Sequence, residues 1–161
     1  EGWKAALSEP TKVVFIESPS NPLMQITDIR FVSDLAHKVG ATVIVDNVMA
    51  SPVLQKPLEL GADVVMYSTT KHIDGQGRVL GGAILGSADY IKNSVLPFAR
   101  HTGPSMSSFN AWVMLKGLET IDLRVRAQAA NALAIAEAMS GHDKLRNLIY
   151  TVKVEPSIAV V

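Results

Sequence analysis

Short apolar runs alternate with amphipathic segments along the first half of the chain. Three runs, rich in β-branched residues, cover residues 12–17, 41–45 and 63–67. They are apolar throughout, whereas a strand with one solvated face alternates apolar and polar positions. This pattern predicts buried strands of a parallel sheet, and residues 83–85 are a candidate fourth strand.

The segments between these runs have helical periodicity. Apolar residues recur at helical spacing from Ile29 to Val39, Thr27 or Asp28 can cap the start, and Gly40 can end the helix. A shorter helical region over residues 52–60 ends at Gly61. Strands separated by helices of this length indicate βαβ units, so we expect an α/β fold whose mostly parallel sheet carries helices on both faces.

The second half of the chain is predominantly helical in its pattern. Helices are predicted over residues 109–121 and 123–139, and a strand over residues 150–154. A weak boundary between two units falls near residues 117–123. We assign Trp3 and Trp112 to core packing, and Arg124 and Arg126 to a solvated helix face.

Composition narrows the classes of function. The 161 residues include 15 Lys+Arg and 15 Asp+Glu, and this balance argues against a nucleic-acid-binding protein. Hydrophobic residues make up 48 %, enough for a substantial core. No apolar stretch reaches the roughly 18 residues that a membrane span needs.

The absence of cysteine excludes disulfides, thiolate metal sites and a catalytic thiol, and it fits a reducing compartment such as the cytoplasm. Because the chain begins with Glu1, we expect a processed protein or a piece of a longer one.

Polar residues follow each of the three predicted strands. They are residues 17–22, residues 46–47 and residues 68–71. Ligands of open parallel sheets bind in the crevice at the carboxyl ends of the strands. These residues are therefore the candidates for a small-molecule site.

Lys71 has two interpretations. A lysine just after a buried strand can be a functional amine that attacks a carbonyl in its neutral form. Taken alone, it is more often a surface lysine whose ammonium reaches water. The hydroxyls of Ser68, Thr69 and Thr70 favour a phosphate-binding nest beside it, although such clusters commonly only form turns.

Asp46 and Asn21 each have two interpretations as well. Asp46 can cap the following turn, or it can pair with a cation such as a protonated ring nitrogen. Asn21, which precedes Pro22, can form a local turn or present its amide to a ligand. The glycine-rich residues 75–82 do not match a dinucleotide motif, and the four histidines lack metal-ligand spacing, so we expect no metal site.

The strand-end motifs together resemble a known family. Residues 17–22 (ESPSNP), 45–52 (VDNVMASP), 60–63 (LGAD) and 68–75 (STTKHIDG) are similar to motifs of the Cys/Met-metabolism family of pyridoxal-phosphate (PLP) enzymes. That family includes cystathionine lyases, cystathionine synthases and homoserine-ester sulfhydrylases. The motifs occur in the family's order and spacing, and the resemblance runs from about residue 3 to about residue 150.

The resemblance implies a role for each candidate residue. Lys71 matches the lysine that attaches PLP covalently, and Asp46 the carboxylate that keeps the pyridine nitrogen protonated. Ser68 and Thr70 match phosphate-binding hydroxyls, and Asn21 an asparagine near the ring hydroxyl. The implied fold is the three-layer α/β/α type of PLP-dependent transferases. Residues 1–118 would be part of its large domain, and residues 119–161 the start of a small C-terminal domain.

Further segments resemble one branch of the family. Residues 74–82, 101–112 and 115–120 are most like the O-succinylhomoserine sulfhydrylases, in which sulfide displaces succinate to give homocysteine for methionine biosynthesis. Cystathionine γ-synthase or lyase activity is the alternative within the family. The resemblance also implies a small amino-acid substrate and a cytoplasmic homotetramer built of dimers with shared active sites. Because the family's upstream and downstream segments are missing, a non-catalytic fragment or interaction module is the alternative of another class.

Overall fold

A mixed four-stranded sheet organises the first half of the chain. The computed structural model describes residues 2–154 and 157–160. The strands β1 (Val13–Glu17), β2 (Thr42–Asp46), β3 (Val64–Ser68) and β4 (Gly82–Gly86) lie side by side in chain order. The first three strands are parallel and β4 is antiparallel to β3, so the predicted mostly parallel sheet is confirmed.

Seven α-helices lie in the remaining described chain. They are α1 (Gly2–Ala6), α2 (Ile29–Lys38), α3 (Ser51–Leu54), α4 (Ala88–Tyr90), α5 (Leu96–Thr102), α6 (Ser108–Leu118) and α7 (Ile121–Met139). Short non-α turns cover Pro57–Leu60 (3₁₀ type), Thr69–Ile73 and Ile91–Val95 (both π type). The strands β5 (Thr151–Val154) and β6 (Ser157–Val160) pair antiparallel at the end of the described chain. No described helix is both long enough and apolar enough to cross a membrane.

The helix boundaries follow local chemistry. The carboxylate of Asp28 accepts a hydrogen bond from the Phe31 N–H (3.0 Å) and caps α2, as one of the two predicted caps. The helical region predicted over residues 52–60 is two pieces, because Gln55 is extended (φ −143°, ψ 137°) between them. The segment from Ala88 to Thr102 is helical, and no helix was predicted there; the Ser87 hydroxyl caps its start by accepting from the Tyr90 N–H (3.1 Å).

The core lies between one face of the sheet and the helices. Val14, Val43 and Val65 of the sheet are buried in one cluster with Val32 and Ala36 of α2. The same cluster extends to α6 and α7 through Val113, Met114, Ile121 and Val125. Each Val, Ile or Met side chain among them stabilises the fold by about 1.5–3 kcal/mol when it is fully buried.

The other face of the sheet is also apolar but more open. Phe15 is 57 % exposed there, and an apolar groove separates this face from Ile91, Val95 and Leu96. Helical segments therefore accompany both faces, as the predicted three-layer α/β/α architecture requires.

Two assignments of single residues have different outcomes. Trp3 packs partly buried against the core, as predicted. The core assignment of Trp112 is wrong, because 55 % of this residue is exposed. The boundary after residue 118 coincides with the break between α6 and α7, but the division into two domains stays a prediction.

Candidate active site

The carboxyl edge of the parallel strands brings three of the predicted residues to one side of the sheet. Asp46 is the last residue of β2, Ser68 is the last residue of β3, and Lys71 follows in the turn Thr69–Ile73. In the strand register, Glu17 lies beside Asp46, and Asp46 lies beside Met66. Asn21 lies four residues beyond the end of β1 in an exposed loop, where its N–H donates to the Glu17 carboxylate (2.9 Å).

Lys71 is exposed on a backbone that its neighbours hold in place. Its own dihedral angles (φ −89°, ψ −115°) interrupt the turn. On one side the Thr69 N–H donates to the Gly81 carbonyl (3.0 Å), and on the other the Gly75 N–H donates to the Lys71 carbonyl (2.7 Å). Within residues 2–154 and 157–160, no carboxylate forms an ion pair with the Lys71 amine. The arrangement is a tethered main chain that presents a primary amine to solvent.

The two hydroxyls predicted to bind phosphate differ in their surroundings. The Thr70 hydroxyl accepts from the Gly81 N–H (3.0 Å) and donates to the Gly81 carbonyl (3.3 Å). Its single proton is therefore committed, and it would have to leave this long bond to donate to a phosphate. The half-buried Ser68 hydroxyl has no hydrogen-bond partner in the described part of the chain. Ser68 is the better placed of the two for an anionic oxygen.

Asp46 forms the local cap and keeps one carboxylate oxygen without a described partner. One carboxylate oxygen accepts from the Val48 N–H (3.0 Å), which is the local cap. The second oxygen has no hydrogen-bond partner among the described residues, and the side chain is half-buried. The local bond orients the carboxylate and leaves its other oxygen able to accept a hydrogen bond from a protonated nitrogen.

A buried amide network beneath this edge was not found by sequence reasoning. Asn47 is fully buried, and the two N–H groups of its amide nitrogen are shared among three acceptors: the carbonyls of Ser51 (3.1 Å) and Gln55 (2.9 Å) and the Tyr67 hydroxyl (2.9 Å). The Gln55 amide donates to the Asn47 side-chain oxygen and to the Ser18 carbonyl, both at 2.7 Å. The network thus ties together the ends of β1 and β2 with β3. Its only signal in the sequence is a polar residue directly after an apolar strand.

Burial also affects the phenol of this network. Burial raises the pKa of the Tyr67 hydroxyl above its ordinary value, and the hydrogen bond from Asn47 opposes that shift only in part. Tyr67 therefore remains a neutral acceptor for the Asn47 amide through the physiological pH range.

Removing the Asn47 amide should destabilise the fold. Asn47→Ala leaves the Gln55 amide, the Tyr67 hydroxyl and two main-chain carbonyls without their partner, at a cost of about 3 kcal/mol. Thermal unfolding of the whole polypeptide measures this loss. The matched control is Asn93→Ala, which removes an exposed amide bonded only to Asp89. Equal midpoints for the two variants would contradict the structural role of the network.

The turn after Lys71 is closed by a buried carboxylate. Asp74 is fully buried, and its two oxygens accept from the Arg78 main-chain N–H (2.7 Å) and from Arg78 Nε (2.8 Å). Burial by itself would raise the pKa of the Asp74 carboxyl, but the hydrogen bonds and charge of Arg78 outweigh it and hold that pKa below its ordinary value. The charged Asp74 therefore anchors the end of the turn that carries Lys71.

The predictions for the two arginines of α7 have different outcomes. Arg126 is exposed and pairs with Asp122 (2.8 Å), as expected of a solvated face. The same prediction for Arg124 is wrong. Its guanidinium donates to the carbonyls of His72 (2.8 Å), Ile73 (3.2 Å) and Gly117 (2.7 Å), because α7 begins directly behind the Lys71 turn.

The functional groups at this edge fit pyridoxal phosphate. An exposed primary amine can react with an aldehyde, a carboxylate can pair with a protonated ring nitrogen, and a hydroxyl can donate to a phosphate. Lys71, Asp46 and Ser68 supply one group of each kind, all at the carboxyl ends of parallel strands. The donor set is compatible with the cofactor, and the role of each residue stays a prediction.

Comparisons with known proteins agree with this chemistry. A model of the family described as Cys/Met metabolism PLP-dependent enzyme matches residues 1–158. The chain is 57 % identical over 148 residues to the O-succinylhomoserine sulfhydrylase of Mycobacterium tuberculosis, covering 92 % of this chain and 36 % of that protein. A sulfhydrylase of the same name from Pseudomonas aeruginosa is 48 % identical over 148 residues, again 92 % of this chain and 36 % of that protein.

Solved structures give the same result for the fold. The crystal structure of cystathionine gamma synthase from Xanthomonas oryzae pv. oryzae, in complex with aminoacrylate and cysteine, is 46 % identical and superposes with a TM-score of 0.87. The match covers 92 % of this chain and 38 % of that chain. The present chain thus spans little more than a third of the length of the relatives it matches.

Proposed function

This chain belongs to the Cys/Met-metabolism family of PLP-dependent enzymes, and from that membership we propose that the whole protein catalyses γ-replacement on O-succinylhomoserine. Sulfide replaces succinate, and the products are homocysteine and succinate, a reaction of methionine biosynthesis. The observation that carries this choice is the 57 % identity to a relative named O-succinylhomoserine sulfhydrylase.

The proposed roles of the residues follow from their chemistry. Bound PLP supplies an electron sink for negative charge that develops on the substrate. The Lys71 amine attaches the cofactor and, once released, moves protons between the substrate Cα and the neighbouring carbon. The Asp46 carboxylate would hold the proton on the pyridine nitrogen, and the Ser68 hydroxyl would donate to the phosphate. Thr70 would also donate to the phosphate once its proton leaves the Gly81 carbonyl, and Asn21 would contact the ring hydroxyl.

The proposal concerns the whole polypeptide, because this chain corresponds to about 36 % of the length of the sulfhydrylases. A homotetramer built of dimers with shared active sites and a cytoplasmic location stay predictions.

Product analysis tests the proposed reaction. The whole polypeptide, loaded with PLP, is supplied with O-succinylhomoserine and either sulfide or cysteine. We expect homocysteine and succinate with sulfide, and at least about tenfold slower succinate release with cysteine, since the site discriminates between the two nucleophiles. Succinate release that requires neither nucleophile would contradict a replacement reaction. An inactive but folded and PLP-loaded polypeptide would favour a non-catalytic module.

Cystathionine γ-synthase is the second candidate function. The observation that favours it is the high similarity in fold and sequence to the solved cystathionine gamma synthase. The same experiment separates the two activities, because faster succinate release with cysteine, accompanied by cystathionine, would favour this candidate over the sulfhydrylase.

A further inference from the structure

The guanidinium of Arg124 lies behind the turn that carries Lys71. We propose that Arg124 is a positioning residue for Lys71, holding the main chain from which its amine reaches the cofactor. This inference rests on the proposed function only in taking Lys71 as the reacting amine. Arg124 itself does not touch the reacting groups.

Four hydrogen bonds define the position of this guanidinium. Nη1 donates to the His72 carbonyl (2.8 Å), and Nη2 donates to the carbonyls of Ile73 (3.2 Å) and Gly117 (2.7 Å). Nε donates to the Thr120 hydroxyl (3.0 Å). Two of the acceptors are the residues directly after Lys71, and the other two belong to the end of α6 and the residue that precedes α7. Arg124 therefore joins the Lys71 turn to the junction of these helices.

Two glycines make room for this contact. A Cβ at Gly75, which has φ +72°, would overlap the Arg124 guanidinium, with Cζ at 2.6 Å. A Cβ at Gly117 would overlap the Ile73 carbonyl and would lie 3.2 Å from the Asp74 Cα. The turn and the end of α6 therefore approach more closely than side chains at these positions would allow. The close packing confines the guanidinium to the carbonyls of the turn.

The geometry needs an arginine rather than any cation. A planar guanidinium presents N–H groups in a fixed fork, whereas the lysine ammonium is a compact charge on a flexible stem. In the described part of the chain, Arg124 forms no ion pair with a carboxylate, and its partners are main-chain carbonyls and one hydroxyl. Its role is consequently geometric.

Arg124 should affect where the exposed amine of Lys71 can lie. Lys71 has no ion pair among the described residues, so the main chain of the turn is what limits where its amine can be. A displacement of about 1 Å in a reacting group can reduce a rate by about 100-fold. Loosening the carbonyls of His72 and Ile73 should thus slow every step that uses the Lys71 amine, without removing the amine.

The test compares Arg124→Lys and Arg124→Ala with the matched controls Arg126→Lys and Arg126→Ala in the whole polypeptide. Arg126 is two residues further along the same helix and pairs with Asp122 in solvent. Two readouts are measured: the rate at which added PLP attaches to Lys71 in the cofactor-free protein, followed by absorbance, and the separate values of kcat and KM. In the attachment, the amine and the PLP aldehyde form a C=N bond and release water.

We expect both Arg124 variants to attach PLP and turn over about 10- to 100-fold more slowly, with KM changed far less than kcat. The Arg126 variants should behave as the unaltered protein. Added guanidinium ion should partly restore the attachment rate of Arg124→Ala, while sodium chloride at the same concentration should not. If Arg124→Ala does not fold, Arg124→Lys decides the question, because it retains the charge and most of the side-chain volume.

Other outcomes would overturn the inference. Attachment rates and kcat equal to those of the unaltered protein, with only a lower unfolding temperature, would reduce Arg124 to a structural residue. Failure of Arg124→Lys to fold would do the same. These results differ from a failure of the proposed function, in which the unaltered protein would itself not attach PLP at Lys71.

Discussion

The Lys71→Ala variant of the whole polypeptide is expected to lose covalent attachment of PLP. Its turnover should be about 10²- to 10⁴-fold slower than that of the unaltered protein. The reason is that alanine removes both the amine that forms the bond to the cofactor and the group that moves protons on the substrate. The structure supports a selective effect, since Lys71 is exposed and forms no ion pair within the described residues. Absorbance of the lysine-bound cofactor and steady-state kinetics measure the two losses.

The control for this prediction is another exposed lysine. Lys56 forms only a solvent-exposed pair with Glu59 (3.4 Å). Lys56→Ala should therefore retain the absorbance band and the activity, because exposed ion pairs contribute little to stability. A Lys71→Ala protein with an unchanged absorbance band would refute the assignment of Lys71.

The Asp46→Asn variant should show the second large loss of activity, a fall in kcat of about 10²- to 10³-fold. Asparagine has nearly the shape of aspartate and retains an oxygen that can accept from the Val48 N–H, so the local turn should persist. It lacks the negative charge that stabilises a protonated pyridine nitrogen, and the cofactor becomes a weaker electron sink. Steady-state kinetics with saturating PLP measure the fall.

Asp34→Asn is the matched control for Asp46. Asp34 is exposed on α2, and the same change there should leave kcat unaltered. If Asp46→Asn and Asp34→Asn had the same kcat as the unaltered protein, Asp46 would act only as the local cap that it forms with Val48.

Much of the fold could be predicted because its signals are local. An apolar run of β-branched residues has few ways to be buried other than as a central strand, and Asp28 caps α2 through a contact three residues away. The helical segment from Ala88 to Thr102 was missed, although Ser87 caps its start and Ile91, Val95 and Phe98 recur at helical spacing. The exposed Trp112 shows the reverse error, since a large apolar side chain does not by itself indicate burial.

The residues that hold the candidate site in place were much harder to find. Asn47 and Gln55 have no periodicity that indicates a buried network, and the commitment of the Thr70 hydroxyl to Gly81 depends on how β4 returns beside β3. Arg124 was assigned to a solvated face because a charged side chain on a helix most often reaches solvent. One of the groups that it binds, the His72 carbonyl, is 52 residues away in sequence.

The sequence by itself determined the α/β class, the order of the first four strands, and the set of polar groups that follow the parallel strands. It could do so because hydrophobic periodicity and capping act over a few residues, and because parallel strands necessarily end at a common edge. Only the tertiary structure decided which of those groups have hydrogen-bonding capacity left for a ligand and which distant residues hold them. Those contacts join segments by the path of the chain through space, and no pattern within either segment encodes the pairing.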